Sequence, residues 1–420
     1  MAESVVITGM GIVSPIGVGT EEVAASLQAE RSGVRRIDDL AEAGWIAPFG
    51  GVVADFDAKR FVKPRKSLMV MADEIQWAFA AGEQAWEAAG LEDAAVDPER
   101  MGVVCGAGLM YCDMTELESP YKACLDEGRF DFDRWGAAGM RELFPLWMLK
   151  YLPNMSACHI GIRRDARGPT NTVAHADASS LLALGEASDV IRRGQADVMV
   201  TGGSSRRLHM TDPMWHAGAD FWQTGDDAAT ACRPFDATRI GPVCGEGAAM
   251  LVLESRAHAL RRGAKPIAEV LSVSSCSENS LGPASFTGDS IAHALADAIA
   301  KSGVAASDIG HVNAHGLGTK VEDVIEAKAL ARVLGETPVT APKSFVGNLG
   351  AAGGAVELMV SLLGLSSGVI PPTINHHQTD PACPVKVTTK AAPTDKPCFA
   401  TVNYNTTGQA VAAVIRKTEI

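Results

Sequence analysis

Basic residues are in short supply in this chain: 37 Lys and Arg stand against 50 Asp and Glu, a formal net charge of −13. A surface of that sign repels phosphate backbones and anionic headgroups, so neither nucleic acid nor a membrane is an expected partner. Long apolar runs are lacking too. None approaches the roughly 20 residues of a membrane span, and the N-terminus passes directly into a strand without a signal-peptide pattern, so a cytoplasmic location is expected. The nine cysteines (Cys105, Cys112, Cys124, Cys158, Cys232, Cys244, Cys276, Cys383, Cys398) are odd in number, scattered, and include no C-x-x-C pair. Free, mostly buried thiols in a reducing compartment follow, and a metal site does not. A dinucleotide loop is missing as well. Gly9-Met10-Gly11 follows a strand, but the third glycine and the downstream acidic residue are absent, and Ser14-Pro15-Ile16-Gly17 stops a helix from starting there. No cofactor is expected.

What is present points to a large α/β core. The chain is 47% hydrophobic and carries 42 glycines, which suits close backbone packing and many tight turns. A strand over 4–8 precedes helices over 20–29 and 69–89, then a buried strand over 103–108. A helix over 178–193, with Leu181, Leu184, Ala187, Val190 and Ile191 at helical spacing, runs into a strand over 196–203. A strand over 249–254 follows. The alternation then restarts: strand 266–275, helix 289–302, strand 309–314, helix 322–334, strand 338–341, helix 350–363, and strands over 398–403 and 410–417. Two halves of similar element order, 1–255 and 256–420, are predicted to pack as one compact body, with an excursion at about 109–165 inserted in the first.

The chain is organised around residues 168–182, an extended run, a turn of small residues, and a helix beginning near Asp177. Nucleophiles are commonly mounted this way, because a helix N-terminus favours an anion and the turn exposes the side chain. Here the mount carries a carboxylate. An aspartyl–acyl adduct would be a mixed anhydride, too labile to hold a chain, and a carboxylate repels charge developing on an enolate. Asp177 is therefore expected to act as the N-terminal cap of its helix. His175 reads as structural or pocket-lining, and His376-His377 lacks the further ligands that a metal site requires.

Taken in order, the motifs Val5-Val6-Ile7-Thr8-Gly9-Met10-Gly11, the elbow at 168–187, Arg233-Pro234-Phe235-Asp236, Val312-Asn313-Ala314-His315-Gly316, Lys343-Ser344 with Gly350-Ala351-Ala352-Gly353, and Pro371-Pro372-Thr373 resemble a β-ketoacyl synthase of the condensing-enzyme family. The resemblance covers essentially the whole chain and implies the duplicated thiolase-type αβαβα layered α/β fold. Position by position, the family's nucleophilic cysteine falls on Asp177, its first histidine on His315, its lysine on Lys343 with Glu357 following, and its second histidine on Asn348. The gating loop falls on Asn403-Tyr404-Asn405-Thr406-Thr407-Gly408 and departs from the family pattern. With thiol and second imidazole both replaced, the site is expected to be catalytically silent.

The resemblance is nearest to the chain-length factor, the ketosynthase β subunit of type II polyketide synthases. It implies a heterodimer with a Cys-bearing ketosynthase α subunit, service of acyl carrier protein through that complex, and a tunnel wall near Leu109, Met110, Cys112, Met114 and Leu117. Many such subunits carry Gln where this chain has Asp177. The other reading is an enzyme of altered chemistry, a malonyl decarboxylase or thioester hydrolase using Asp177, His315 and Lys343. The basic patch Lys59, Arg60, Lys63, Arg65 and Lys66 offers a local contribution to carrier-protein docking. Asp323 and Glu326 are expected to serve as structural ion-pair partners.

Overall fold

The structure is a computed structural model and describes residues 3–42, 48–92, 94–209, 211, 227–279 and 285–418. Ten strands make its frame: β1 (Val5–Ser14), β2 (Met101–Ala107), β3 (Thr170–Val173), β4 (Val198–Arg206), β5 (Glu246–Ser255), β6 (Ala268–Ser277), β7 (Ile309–Asn313), β8 (Pro338–Thr340), β9 (Cys398–Tyr404) and β10 (Gln409–Lys417). Their order is β8-β7-β9-β10-β6-β1-β5-β4-β2-β3, with short strands Gly17–Val18 and Lys386–Val387 appended.

Outward from the middle, this order repeats itself. On one side β1/β5 and β5/β4 are antiparallel, then β4/β2 and β2/β3 parallel. On the other, β6/β10 and β10/β9 are antiparallel, then β9/β7 and β7/β8 parallel. The two five-strand sets meet through a short antiparallel contact, Val5↔Val270 to Ile7↔Ala268.

Helices complete the layers. The main ones are α1 (Asp73–Ala88), α2 (Ser179–Arg192), α3 (Asp289–Ser302), α4 (Glu322–Leu334) and α5 (Gly353–Ser367). Residues of α2 and α5 pack between the two strand sets in one apolar cluster with Val5, Ile7, Leu251, Phe399 and Ile415. The outer face of the first set is covered by α1, through Ile75, Ala78, Phe79 and Trp86, and that of the second by α3 and α4. Strands covered on both faces lose the alternation of polar and apolar residues, which is why all ten residues of β5 are buried. Gly350–Ser367 is long and apolar enough to cross a membrane by composition alone, and it is mostly buried as the central helix of the core.

Boundaries shift slightly from the sequence reading. The helix expected over 69–89 starts at Asp73, because Arg65–Val70 winds as a 3-10 stretch that ends at extended Met71. The excursion carries its own helices, Met114–Ala123 and Met155–Arg164, and a small hairpin, Leu125–Asp126 with Arg129–Phe130.

The two central helices begin alike. Each is preceded by a three-residue 3-10 turn, Ala176–Ala178 before α2 and Gly350–Ala352 before α5. The first residue of each turn is left-handed, with φ of 48° at Ala176 and 56° at Gly350. The two N-termini touch, since the Ala355 N–H donates to Ser180 Oγ at 3.0 Å.

Candidate functional site

The site lies where these two N-termini converge. A Cβ added to Gly106 of β2 would come within 2.6 Å of the Ser180 nitrogen, so only glycine lets the strand lie this close to the start of α2. The elbow is closed by Ser179, whose Oγ accepts the His175 N–H at 2.8 Å and donates to the Ala176 carbonyl at 2.6 Å. His175 itself is exposed.

Asp177 does not cap its helix, contrary to the sequence expectation: no side-chain cap bond forms at the start of the turn or of α2. Its carboxylate turns instead into the site, where Arg207 Nη1 stands 3.5 Å away and the side-chain amide of Asn348 hydrogen-bonds it. Burial would push the Asp177 carboxyl up, but Arg207 and Lys343 outweigh it and hold the group below the ordinary aspartate value. Arg207 follows β4, continues the ladder by donating its N–H to the Gly245 carbonyl at 3.1 Å, and lies almost wholly buried. Nothing in the sequence reading singled it out. The signal was there: Arg206-Arg207 ends a strand of small and apolar residues abruptly.

His315 follows β7. Its backbone N–H and that of Gly316 donate to Glu326 on α4, at 2.7 and 2.8 Å. Glu326 thus anchors the histidine loop through the backbone, where an ion pair was expected, and burial pushes its carboxyl up to about 8. Asp323 likewise accepts backbone N–H groups, from Phe235 at 2.7 Å and Gly318 at 2.9 Å, with Arg239 Nε 3.7 Å away. On the imidazole, Nδ1 receives two donors, Lys343 Nζ at 2.8 Å and Asn403 Nδ2 at 2.7 Å. An acceptor Nδ1 places the ring proton on Nε2, which is buried without a hydrogen-bond partner among the described residues. Burial and the neighbouring Lys343 drive the His315 pKa well down, so the ring is neutral. Tyr404 meets it edge-on at 4.7 Å.

Lys343 also pairs with Glu357 on α5, and Asn403 Nδ2 donates to the other Glu357 oxygen at 2.9 Å. A Cβ at Gly354 would meet Asn403 Oδ1 at 2.4 Å, so α5 needs glycine there to admit this network. Asn348 accepts the Gly350 N–H through Oδ1 at 3.0 Å, leaving its NH2 for Asp177. The structure therefore gathers Asp177, His315, Lys343 and Asn348, and adds Arg207, Glu357 and Asn403. The segment read as a gating loop supplies two buried side chains, Asn403 and Tyr404, to the box around His315.

Of the tunnel-wall candidates, Leu109 and Met114 are exposed, while Met110, Cys112 and Leu117 are half-buried, Met110 against the cluster under α1. Among the described residues no group of three or more His, Cys, Asp or Glu is arranged to hold a metal ion. His376 Nδ1 faces the Pro234 carbonyl at 3.3 Å, and the His377 N–H donates to Asp236 at 2.6 Å.

This duplicated layering, and a site built at the paired helix starts, define the thiolase-like ketosynthase fold: the chain belongs to the beta-ketoacyl synthase family, whose N-terminal domain matches residues 2–259 and C-terminal domain residues 267–377. It is 35% identical to the oxytetracycline polyketide putative beta-ketoacyl synthase 1 of Streptomyces rimosus, over 91% of this chain and 89% of that one. It is 34% identical to the 3-oxoacyl-[acyl-carrier-protein] synthase 2 of Vibrio cholerae serotype O1, over 88% of each. Among solved structures it resembles the ishigamide ketosynthase/chain length factor, with a TM-score of 0.85 and 29% identity over the full length of both chains. A type II polyketide synthase acyl-carrier protein in complex with its ketosynthase bound to the hexaketide gives a TM-score of 0.85 at 25% identity, covering 100% of both chains.

Proposed function

We propose that this chain is the catalytically silent chain-length-factor subunit of a type II polyketide ketosynthase, working in the cytoplasm as a heterodimer with a Cys-bearing homologue. The observation that carries the reading is the Asp177–Arg207 pair. Where a condensing enzyme needs a thiolate that can accept an acyl chain, this chain holds a carboxylate tied to a buried guanidinium 3.5 Å away. Asn348 replaces the second imidazole and spends its amide on the same carboxylate.

Two features support a partner. Of the fourteen large apolar side chains that stand exposed among the described residues, eleven lie between Leu109 and Ile162, including Phe130, Phe132, Phe144 and Met148. A concentration of that kind exceeds the scattered apolar exposure of ordinary surfaces. Beside it, β3 ends the sheet with Thr170 and Asn171 exposed, an edge that a second chain would cover. In this reading Leu109, Met110, Cys112, Met114 and Leu117 line the far end of the partner's product tunnel, and acyl carrier protein is served through the complex.

An altered-chemistry enzyme draws on one observation, the unpartnered Nε2–H of His315 next to Asp177. The lowered Asp177 pKa weighs against it, because a carboxylate stabilised by Arg207 is a weak base and a weak nucleophile. The deciding experiment is co-expression with a Cys-bearing ketosynthase homologue. Stoichiometric co-purification, with condensation by the pair and none by this chain alone, is the expected result. Condensation or hydrolysis of acyl or malonyl carrier protein by the isolated chain, abolished in Asp177→Asn, would overturn it.

A further inference from the structure

Arg206 is the last residue of β4 and Arg207 the one that follows it, and their side chains go to different partners. Arg207 faces Asp177. Arg206 faces a cluster of acids: Asp73 Oδ2 at 3.1 Å on the start of α1, Glu246 Oε2 at 3.4 Å on the neighbouring strand, and Asp113 Oδ1 at 3.9 Å. Asp113 also lies 3.6 Å from His209 Nε2, and Tyr111 stacks on the His209 ring at 5.4 Å. Segment 111–113 is thus held from the strand side by residues 206 and 209, which flank the residue that binds the elbow. The favourable His209 and Arg206 contacts keep the Asp113 carboxyl below its ordinary value, so it pairs as an anion.

We propose that Arg206, Asp113 and His209 form a clamp that positions the 109–117 segment, and that the clamp sets the length of the chain made by the partner subunit. This rests on the chain-length-factor reading above. The polyketide does not touch these three residues in this account; they act as positioning residues through the segment they hold. Leu109 and Met114 present exposed side chains on either side of the clamped residues. A wall made of a few side chains on a short loop has a defined depth only if the loop backbone is fixed, and the Arg206 and His209 contacts to Asp113, with Tyr111 stacked on His209, supply that fixation.

The test uses the purified heterodimer carrying Asp113→Asn, which is nearly isosteric, and separately His209→Gln. Two readouts are taken: amide hydrogen exchange across 109–117 and the mass distribution of products at matched turnover. The clamp predicts that exchange in 109–117 rises roughly two- to fivefold in each variant, the effect of losing one partly exposed contact from a local opening equilibrium. It also predicts a product distribution that spreads by at least one two-carbon unit. Arg332→Gln, which breaks the exposed pair with Asp289 at 2.9 Å, should change neither. Unchanged exchange in both variants overturns the clamp, as does failure of both to assemble with the partner. Faster exchange with an unchanged product distribution overturns its role in length control. A wild-type chain that never pairs sinks the chain-length-factor reading instead, and exchange on that chain alone still decides whether the clamp exists.

Discussion

The elbow at Asp177 and the box around His315 stand on opposite sides of one site, at the starts of two helices that begin with the same turn. The box is an interlocked network: Lys343, Asn403, Glu357 and Glu326 all bear on His315 or its backbone, and every member is buried. Among the described residues the elbow holds one ion pair, Asp177 with Arg207, and an amide contact from Asn348. The difference lies in how many buried groups depend on one another on each side. In the box, Lys343, Glu357 and the Asn403 amide nitrogen satisfy one another, while His315 Nε2 and Asn403 Oδ1 stay unpartnered among the described residues, so loss of Glu357 leaves the lysine buried without its carboxylate. At the elbow, where the family places its nucleophile in the proposed reading, this chain holds a carboxylate paired with a guanidinium.

The comparison breaks most sharply in the box. Glu357→Ala leaves the Lys343 ammonium buried without its carboxylate, and a loss of about 3–5 kcal/mol is expected in denaturant unfolding. A loss below about 1 kcal/mol would mean that the network is not what holds this side of the site. At the elbow, Arg207→Met should cost less, about 1–3 kcal/mol, because Asp177 is partly accessible and retains Asn348. The sign with pH follows. A carboxyl held below its unfolded value of 3.8 adds stability above that pH and loses it as the pH falls. The gap between wild type and Arg207→Met should therefore narrow on acidification toward pH 3, and a gap that widens would contradict the pairing.

The matched turns sharpen the contrast at smaller scale. Gly350→Ala places a methyl in a left-handed position and 2.9 Å from Arg207 Cδ, so it should lose at least about 1–2 kcal/mol. Ala176→Gly relieves the same backbone strain on the other side, partly offset by about 0.5–1 kcal/mol of chain entropy. A net gain under about 1 kcal/mol is expected in the melting midpoint. The smallest effect is on turnover. Asp177→Cys puts a thiol beside Arg207 and Lys343, which favour the thiolate, so it should alkylate faster than an ordinary exposed cysteine near pH 7. Condensation should nevertheless stay at background, because Asn348 still stands where the second imidazole is needed. Measurable condensation by that variant without a partner would refute the assignment.

Much of this was legible in the sequence where the signal was local. The elbow announced itself through a strand, a small-residue turn and a helical period, His315 and Lys343 each sit in a short motif, and Asn348 was placed by the family resemblance alone. The pairs that give these residues their roles were not legible. Arg207 is 30 residues from Asp177, and Asn403 is 88 from His315, distances bridged only when β4 and β9 enter their strand sets. The capping role read for Asp177 was a fair inference from an acid at a helix start. It failed because Ser179 closes the turn and a buried guanidinium draws the carboxylate the other way. Glu326 was misassigned for a related reason: the nearest donors to a buried carboxylate were backbone N–H groups, which sequence does not display.

The central claim is that acyl transfer bypasses Asp177. Intact-protein mass spectrometry of the purified pair, after incubation with acyl carrier protein charged with a starter chain, tests it most directly. The account predicts an acyl mass on the Cys-bearing partner and none on this chain. An acyl adduct on this chain, lost in Asp177→Asn, would contradict it.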